Sequence, residues 1–193
     1  MPKLTRNDLF SLEQYAEVRA DFRRQVINHK KNRRLELDAH HTLYFEDAMT
    51  VKYQVQEMLR IERIFEAAGI AEELEAYNPL IPDGSNWKAT YMVEYADEAE
   101  RKIALAGLIG VEDTVWLQVD GFDRVYGIAD EDLERSSEEK TSSVHFLRFE
   151  LTAGMVAAVK AAAELRAGIE HAACVTSCVV SENVRNALAQ DLA

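Results

Sequence analysis

Leu35-Glu36-Leu37-Asp38-Ala39-His40-His41-Thr42-Leu43-Tyr44-Phe45 is the stretch on which the architecture turns. Leu35 and Leu37 on one side, and Leu43 and Phe45 on the other, recur at every second position around a polar Asp38-Ala39-His40-His41 segment. Period-two alternation on both sides of a polar turn predicts a hairpin. Val115, Leu117 and Val119 alternate in the same way, Asp120-Gly121 turns, and Val125–Ile128 returns, which predicts a second hairpin. Ala89, Tyr91, Val93 and Tyr95 form another alternating run, and residues 143–151 a further strand.

Helical signals surround these strands. Thr5 to Asp8 and Ser11 with Gln14 have the form of capping boxes, and Tyr15, Val18, Phe22 and Val26 follow at helical spacing to about Lys30. Asp47 caps a second long helix, with Val51, Val55, Met58 and Phe65 on one face and Gly69 as its end; a short helix then covers 72–76. Asp97 opens a helix to about Leu108, Thr152 an Ala-rich helix ending at Gly168, and Ser181 a last short one. No β-α-β rhythm connects these elements. The expected class is α+β: a mixed or antiparallel sheet built from hairpins, packed by two long N-terminal helices and the Ala-rich C-terminal helix. Residues 1–193 read as a single domain, with 171–193 as a flexible C-terminal appendage.

Composition narrows the function classes. Of 193 residues, 48% are apolar, and 22 basic against 34 acidic residues give a net charge of −12. A generic nucleic-acid binder or an anionic-membrane binder needs a basic surface, so neither is expected. The charge is uneven: residues 1–63 carry a net +2 and residues 64–193 a net −14, while Arg19 to Arg34 holds seven basic residues and one acid. An anion site is expected first at Lys30, Arg33 and Arg34; cations at a helix C-terminus also complement its dipole. No apolar run approaches the ~20 residues of a membrane span. Met1 to Asp8 carries no hydrophobic stretch, so a secretory signal is not expected, and the two cysteines, Cys174 and Cys178, fit a reducing, cytoplasmic setting. No phosphate loop, Glu-x-x-His, His-Glu-x-x-His, paired Cys-x-x-Cys or Gly-x-Ser-x-Gly is present.

Several residues stand out against their surroundings. Glu62 falls within the apolar face of the second helix, and His29 at the centre of the apolar face of the first. A buried carboxylate needs a partner, for which Arg148 is the structural choice. A His29–Glu62 pair could instead move protons or hold a divalent metal. Tyr53, Gln56, Glu57 and Arg60 form a polar stripe on the second helix, suited to helical pairing or to an anionic ligand. His171, Cys174 and Cys178 share one face if their segment is helical, and could then bind zinc or copper; the plainer reading is two small apolar residues. His40 and His41 are expected exposed on their turn, with diverging side chains. His145 and Arg148 lie on opposite faces of a regular strand.

Three stretches carry a resemblance. Tyr53-Gln54-Val55-Gln56-Glu57-Met58-Leu59-Arg60-Ile61-Glu62-Arg63-Ile64, Asn78-Pro79-Leu80-Ile81-Pro82-Asp83-Gly84 and Thr141-Ser142-Ser143-Val144-His145-Phe146-Leu147-Arg148-Phe149 resemble the hallmarks of an uncharacterised bacterial family, domain of unknown function 3501. The resemblance runs from about Leu4 to His171. It implies a redox or peroxide-stress setting, with iron–sulfur or rubrerythrin-like proteins as partners, and assigns no cofactor. It draws attention to Glu57, Arg60, Glu62, His145, Arg148 and His171. Gly168-Ile169-Glu170-His171 keeps the family's His, whereas Ala172-Ala173-Cys174 departs from its pattern. The leading expectation is a cytoplasmic accessory protein binding a small ligand, metal or protein partner, with homo-oligomerisation open. The rivals are a small enzyme using Glu62 with His29 or His145 on an anionic substrate, and a purely structural partner of an iron–sulfur protein.

Overall fold

Alternating sequences form the strands, and capped periodic sequences the helices between them. The computed structural model describes residues 3–129 and 140–193. After a 3-10 turn at Arg6–Asp8 the order is α1 (Leu12–Lys30), β1 (Arg34–Glu36), β2 (His41–Phe45), α2 (Ala48–Glu62), α3 (Ala67–Tyr77) and β3 (Asn86–Val93). Then come α4 (Glu98–Gly107), β4 (Val115–Val119), β5 (Val125–Tyr126), β6 (Ile128–Ala129) and β7 (Val144–Glu150). The chain closes with α5 (Ala153–Lys160), β8 (Leu165–His171), β9 (Cys174–Val179) and α6 (Glu182–Ala189).

The strands make two antiparallel sheets, one of five strands in the order β1-β2-β3-β7-β6 and one of four in the order β5-β4-β8-β9. The class is α+β. Leu43, Phe45, Trp87, Tyr91, Leu147 and Phe149 of the first sheet share one apolar core with Leu117, Leu165 and Ile169 of the second. Val51, Val55 and Leu59 of α2 form a smaller cluster with Ile70 and Leu74 of α3, against which Phe146 of β7 packs. The five-stranded sheet is thus covered on both faces. Ser11 and Asp47 cap α1 and α2 through capping boxes, satisfying N–H groups that a helix start leaves open.

Three expectations change. The second helix stops at Glu62, because Arg63 adopts a left-handed conformation (φ 56°) and ends it before Phe65 can join its face. Its buried stripe is Val51, Val55, Gln56 and Leu59, which leaves Glu62 exposed. The Ala-rich helix stops at Lys160, with Ala162 at φ 65° turning the chain into β8, so residues 165–171 are strand. Leu165, Ala167 and Ile169 are its inward-facing residues. The segment 171–193 packs into the body: β9 pairs along β8, Leu188 is fully buried, its carbonyl accepts the Trp87 indole N–H at 2.9 Å, and Asp191 is buried too.

Candidate functional site

Two hairpin turns, one from each sheet, meet at one corner of the molecule. The first is the turn between β1 and β2. Asp38 Oδ1 accepts the backbone N–H groups of His40 at 2.8 Å and His41 at 2.9 Å, so one carboxylate oxygen folds the turn. Its other oxygen, Oδ2, accepts from the Cys174 thiol at 3.6 Å. Cys174 opens β9 directly after the two-residue turn that follows His171, its partner in the β8–β9 register. Thr176 Oγ1 donates to Leu37 O at 3.0 Å, and the Cys178 thiol reaches Glu36 O at 3.7 Å, so one face of β9 is laid along β1.

His41 completes the group. One ligand atom each from Asp38, His41 and Cys174 lies within 4.8 Å of the others. The His41 ring is buried, and its Nδ1 shares a 2.5 Å hydrogen bond with the fully buried Tyr91 hydroxyl. Behind Tyr91, His145 Nε2 lies 3.0 Å from Thr141 Oγ1 and 3.8 Å from Glu112 Oε2. Burial lowers the His41 pKa, which favours the neutral imidazole. Burial, with the Asp38 carboxylate beside it, pushes the Cys174 thiol up to about 11. Burial also holds the Tyr91 hydroxyl well above its ordinary value. Without a cation the corner therefore holds a neutral imidazole, a protonated thiol and a carboxylate.

A family model described as "Protein of unknown function (DUF3501)" matches residues 3–192. The chain belongs to this family. It is also similar over its whole length to a solved structure from Burkholderia pseudomallei, described as a novel protein of unknown function, at 50% identity, with 100% of both chains covered and a TM-score of 0.94. No curated protein matches it.

The DUF3501 chain distributes the other predicted residues among separate places. His29 does not meet Glu62; its Nε2 lies 2.5 Å from Asp47 Oδ2. Asp47 also stands 3.4 Å from the buried Arg33 guanidinium, which pairs with Asp191 and donates to Phe45 O and Glu46 O at 3.1 Å each. Burial alone would raise the Asp47 carboxyl, but Arg33, the Thr50 N–H and His29 outweigh it and hold it below its usual range. For Asp191 burial prevails over Arg33, and its pKa rises to about 6. Arg33 is therefore an internal cation. Arg34 pairs with Glu36 at 2.8 Å on the surface, and Lys30 makes no ion pair among the described residues.

Arg148 pairs with Glu150, not with Glu62, because its face of β7 points away from the main core while His145, Leu147 and Phe149 point inward. Glu57 gathers the Tyr15 hydroxyl at 2.7 Å, Arg19 at 2.7 and 2.8 Å, and Arg60 at 3.3 Å; chiefly through Arg19, its pKa falls to about 2. Gln56 Oε1 accepts the Phe10 N–H at 2.6 Å, and Tyr53 packs edge-on against Phe22, so this stripe ties α1 to α2. His171, Cys174 and Cys178 do not share a helical face. His171 Nε2 bonds Ile109 O at 3.1 Å and its Nδ1 accepts the Ala173 N–H at 3.2 Å, while Cys178 faces Glu36. Asp38 and Tyr91 are site residues outside the sequence expectations, and His41, expected exposed, is buried. The available signal was one turn carrying both an Asx-turn former and two imidazoles. His40 and His41 do diverge: His40 lies flat on Tyr95, with ring centroids 3.9 Å apart.

Proposed function

We propose that this protein is an accessory metal-binding protein of the cytoplasm that holds a borderline divalent ion of the zinc class on Asp38, His41 and Cys174. The observation that carries the reading is the convergence of a carboxylate, an imidazole and a thiol from two separate hairpin turns within 4.8 Å. The Asp38–Cys174 spacing fits two ligands of one ion. Oxygen and sulfur ligands at ~2.1 and ~2.3 Å from a tetrahedral centre lie ~3.6 Å apart. The Asp38 Oδ2 to Cys174 Sγ separation is 3.6 Å. A thiol with an imidazole favours zinc-class ions over magnesium or calcium, which prefer all-oxygen sites. The Tyr91 hydroxyl supplies the outer hydrogen bond that orients a ligating histidine.

An ion would displace the Cys174 proton, so binding releases a proton and weakens as pH falls. The redox or peroxide-stress setting, and iron–sulfur or rubrerythrin-like partners, belong to this proposal through the family resemblance. A thiolate ligand gives that setting a chemical link, since thiolates are the oxidisable form of cysteine. Among the described residues, no helix is long and apolar enough to cross a membrane.

Elemental analysis of protein purified without chelator, combined with zinc titration, tests the reading. The expected result is one ion per chain, lost in both His41→Ala and Cys174→Ser but kept in Cys178→Ser. Equal metal content in all four proteins, or none in the wild type after zinc titration, overturns it.

A further inference from the structure

We infer that an ion held by Asp38, His41 and Cys174 keeps one coordination position open to solvent, and that this position accepts a neutral nitrogen donor, an imidazole in type, in preference to an anion. The inference rests on the metal-binding reading above and specifies what that site would take.

Ligand count comes first. Zinc-class ions take four ligands, and structural sites supply all four from protein, whereas sites with three protein ligands leave an exchangeable position. Among the described residues, no further His, Cys, Asp or Glu joins the three. The nearby imidazoles are already engaged. His171 donates through Nε2 to Ile109 O and accepts the Ala173 N–H at Nδ1. His40 Nδ1 is 3.0 Å from Glu94 O, and the ring is stacked on Tyr95. His145 Nε2 is 3.0 Å from both Thr141 Oγ1 and Ser142 O. The Tyr91 hydroxyl is committed to His41.

Access and charge decide what fills the position. His41 is buried, whereas Asp38 and Cys174 are half-buried, so the group is approached from the carboxylate and thiol side. A carboxylate and a thiolate already neutralise a divalent cation, and His41 adds no charge. An anionic fourth ligand would leave a net negative centre in a half-buried corner, with the Glu112 carboxylate lying beyond Tyr91 and His145. A neutral nitrogen donor leaves the centre uncharged and matches the borderline character of the ion.

Cobalt(II) titration of the full chain, followed by imidazole or azide in separate arms, tests this. Cobalt should bind one equivalent, with a near-ultraviolet thiolate charge-transfer band that Cys174→Ser removes. Imidazole should then shift the visible d–d bands, with azide needing a roughly tenfold higher concentration for a comparable change. Cobalt binding with d–d bands indifferent to imidazole would mean that the protein closes the site; the open position falls while the metal reading stands. A stronger response to azide overturns the preference for a neutral donor. Failure to bind cobalt overturns the metal reading and this inference together. The wild-type titration needs no variant to fold.

Discussion

Arg33→Met removes the cation from the most enclosed ionic network among the described residues. Only 3% of the Arg33 surface is exposed, and its guanidinium holds Asp191, Asp47, Phe45 O and Glu46 O. Methionine fills similar volume but leaves two carboxylates without their cation and two carbonyls without a donor. Removing one partner of a buried ion pair costs about 4 kcal/mol, and each lost hydrogen bond adds ~1 kcal/mol. The expected loss is therefore roughly 6 kcal/mol, a large part of the 5–15 kcal/mol that holds a typical domain. With a urea m-value of about 2 kcal/mol/M, the unfolding midpoint followed by circular dichroism should fall by roughly 3 M.

The sign of the pH dependence sharpens the test. Asp191 has a folded pKa raised to about 6 from an ordinary 3.8, so its ionisation works against folding. Its contribution is most favourable below the unfolded value and is lost as pH rises through 6. Without Arg33, which opposes that rise, Asp191 should hold its proton to still higher pH. The Arg33→Met penalty should accordingly be smaller at pH 5.5 than at pH 8. A midpoint shift no larger than that of the exposed Arg24→Met, or a penalty that grows as pH falls toward 5.5, would refute the reasoning.

Three further predictions follow from the same geometry. Tyr91→Phe should weaken zinc binding roughly tenfold to a hundredfold by releasing the His41 ring, read by competition with a chromophoric chelator, while thermal unfolding shifts far less than in Arg33→Met. Because the Cys174 thiol is pushed up to about 11, zinc binding displaces its proton, and affinity should rise about tenfold per pH unit from pH 6 to pH 8; an affinity flat over that range refutes thiolate ligation. Gly168→Ala should destabilise the protein by about 2–3 kcal/mol, since the new methyl would press on Thr176 O and stand 2.5 Å from Trp116 Cζ2. That pressure falls on the β8–β9 pairing that delivers Cys174, so zinc affinity should fall with stability; denaturant unfolding and zinc titration read the two together.

Local signals in the chain were sufficient for most elements. Ser11 with Gln14 and Asp47 with Thr50 form reciprocal caps, and caps act within one turn of backbone. The alternation of Leu35, Leu37, Leu43 and Phe45 produced the β1–β2 hairpin with Leu35 opposite Leu43. Period-two burial is likewise a local property. The Ala-rich stretch after Thr152 carries a helical signal past its true end because alanine has the highest helix propensity, and the boundary rests instead on the left-handed backbone at Ala162. Glu62 lies within an apolar face only if the helix runs on to Phe65, and the left-handed backbone at Arg63 ends it first.

The candidate site lay beyond any local reading. Asp38 and His41 are in one turn, but Cys174 is 136 residues from Asp38 and belongs to the other sheet. Sequence alone determined the α+β class, the antiparallel hairpins, the helix starts and the family resemblance, because caps and alternation are short-range physics. Only the packing of the two sheets over a common core decided which polar groups meet. It brings the β1–β2 turn against the start of β9, pairs His29 with Asp47 rather than Glu62, and encloses Arg33 with Asp191. Those pairings depend on where distant surfaces close, and no periodicity along the chain encodes that distance.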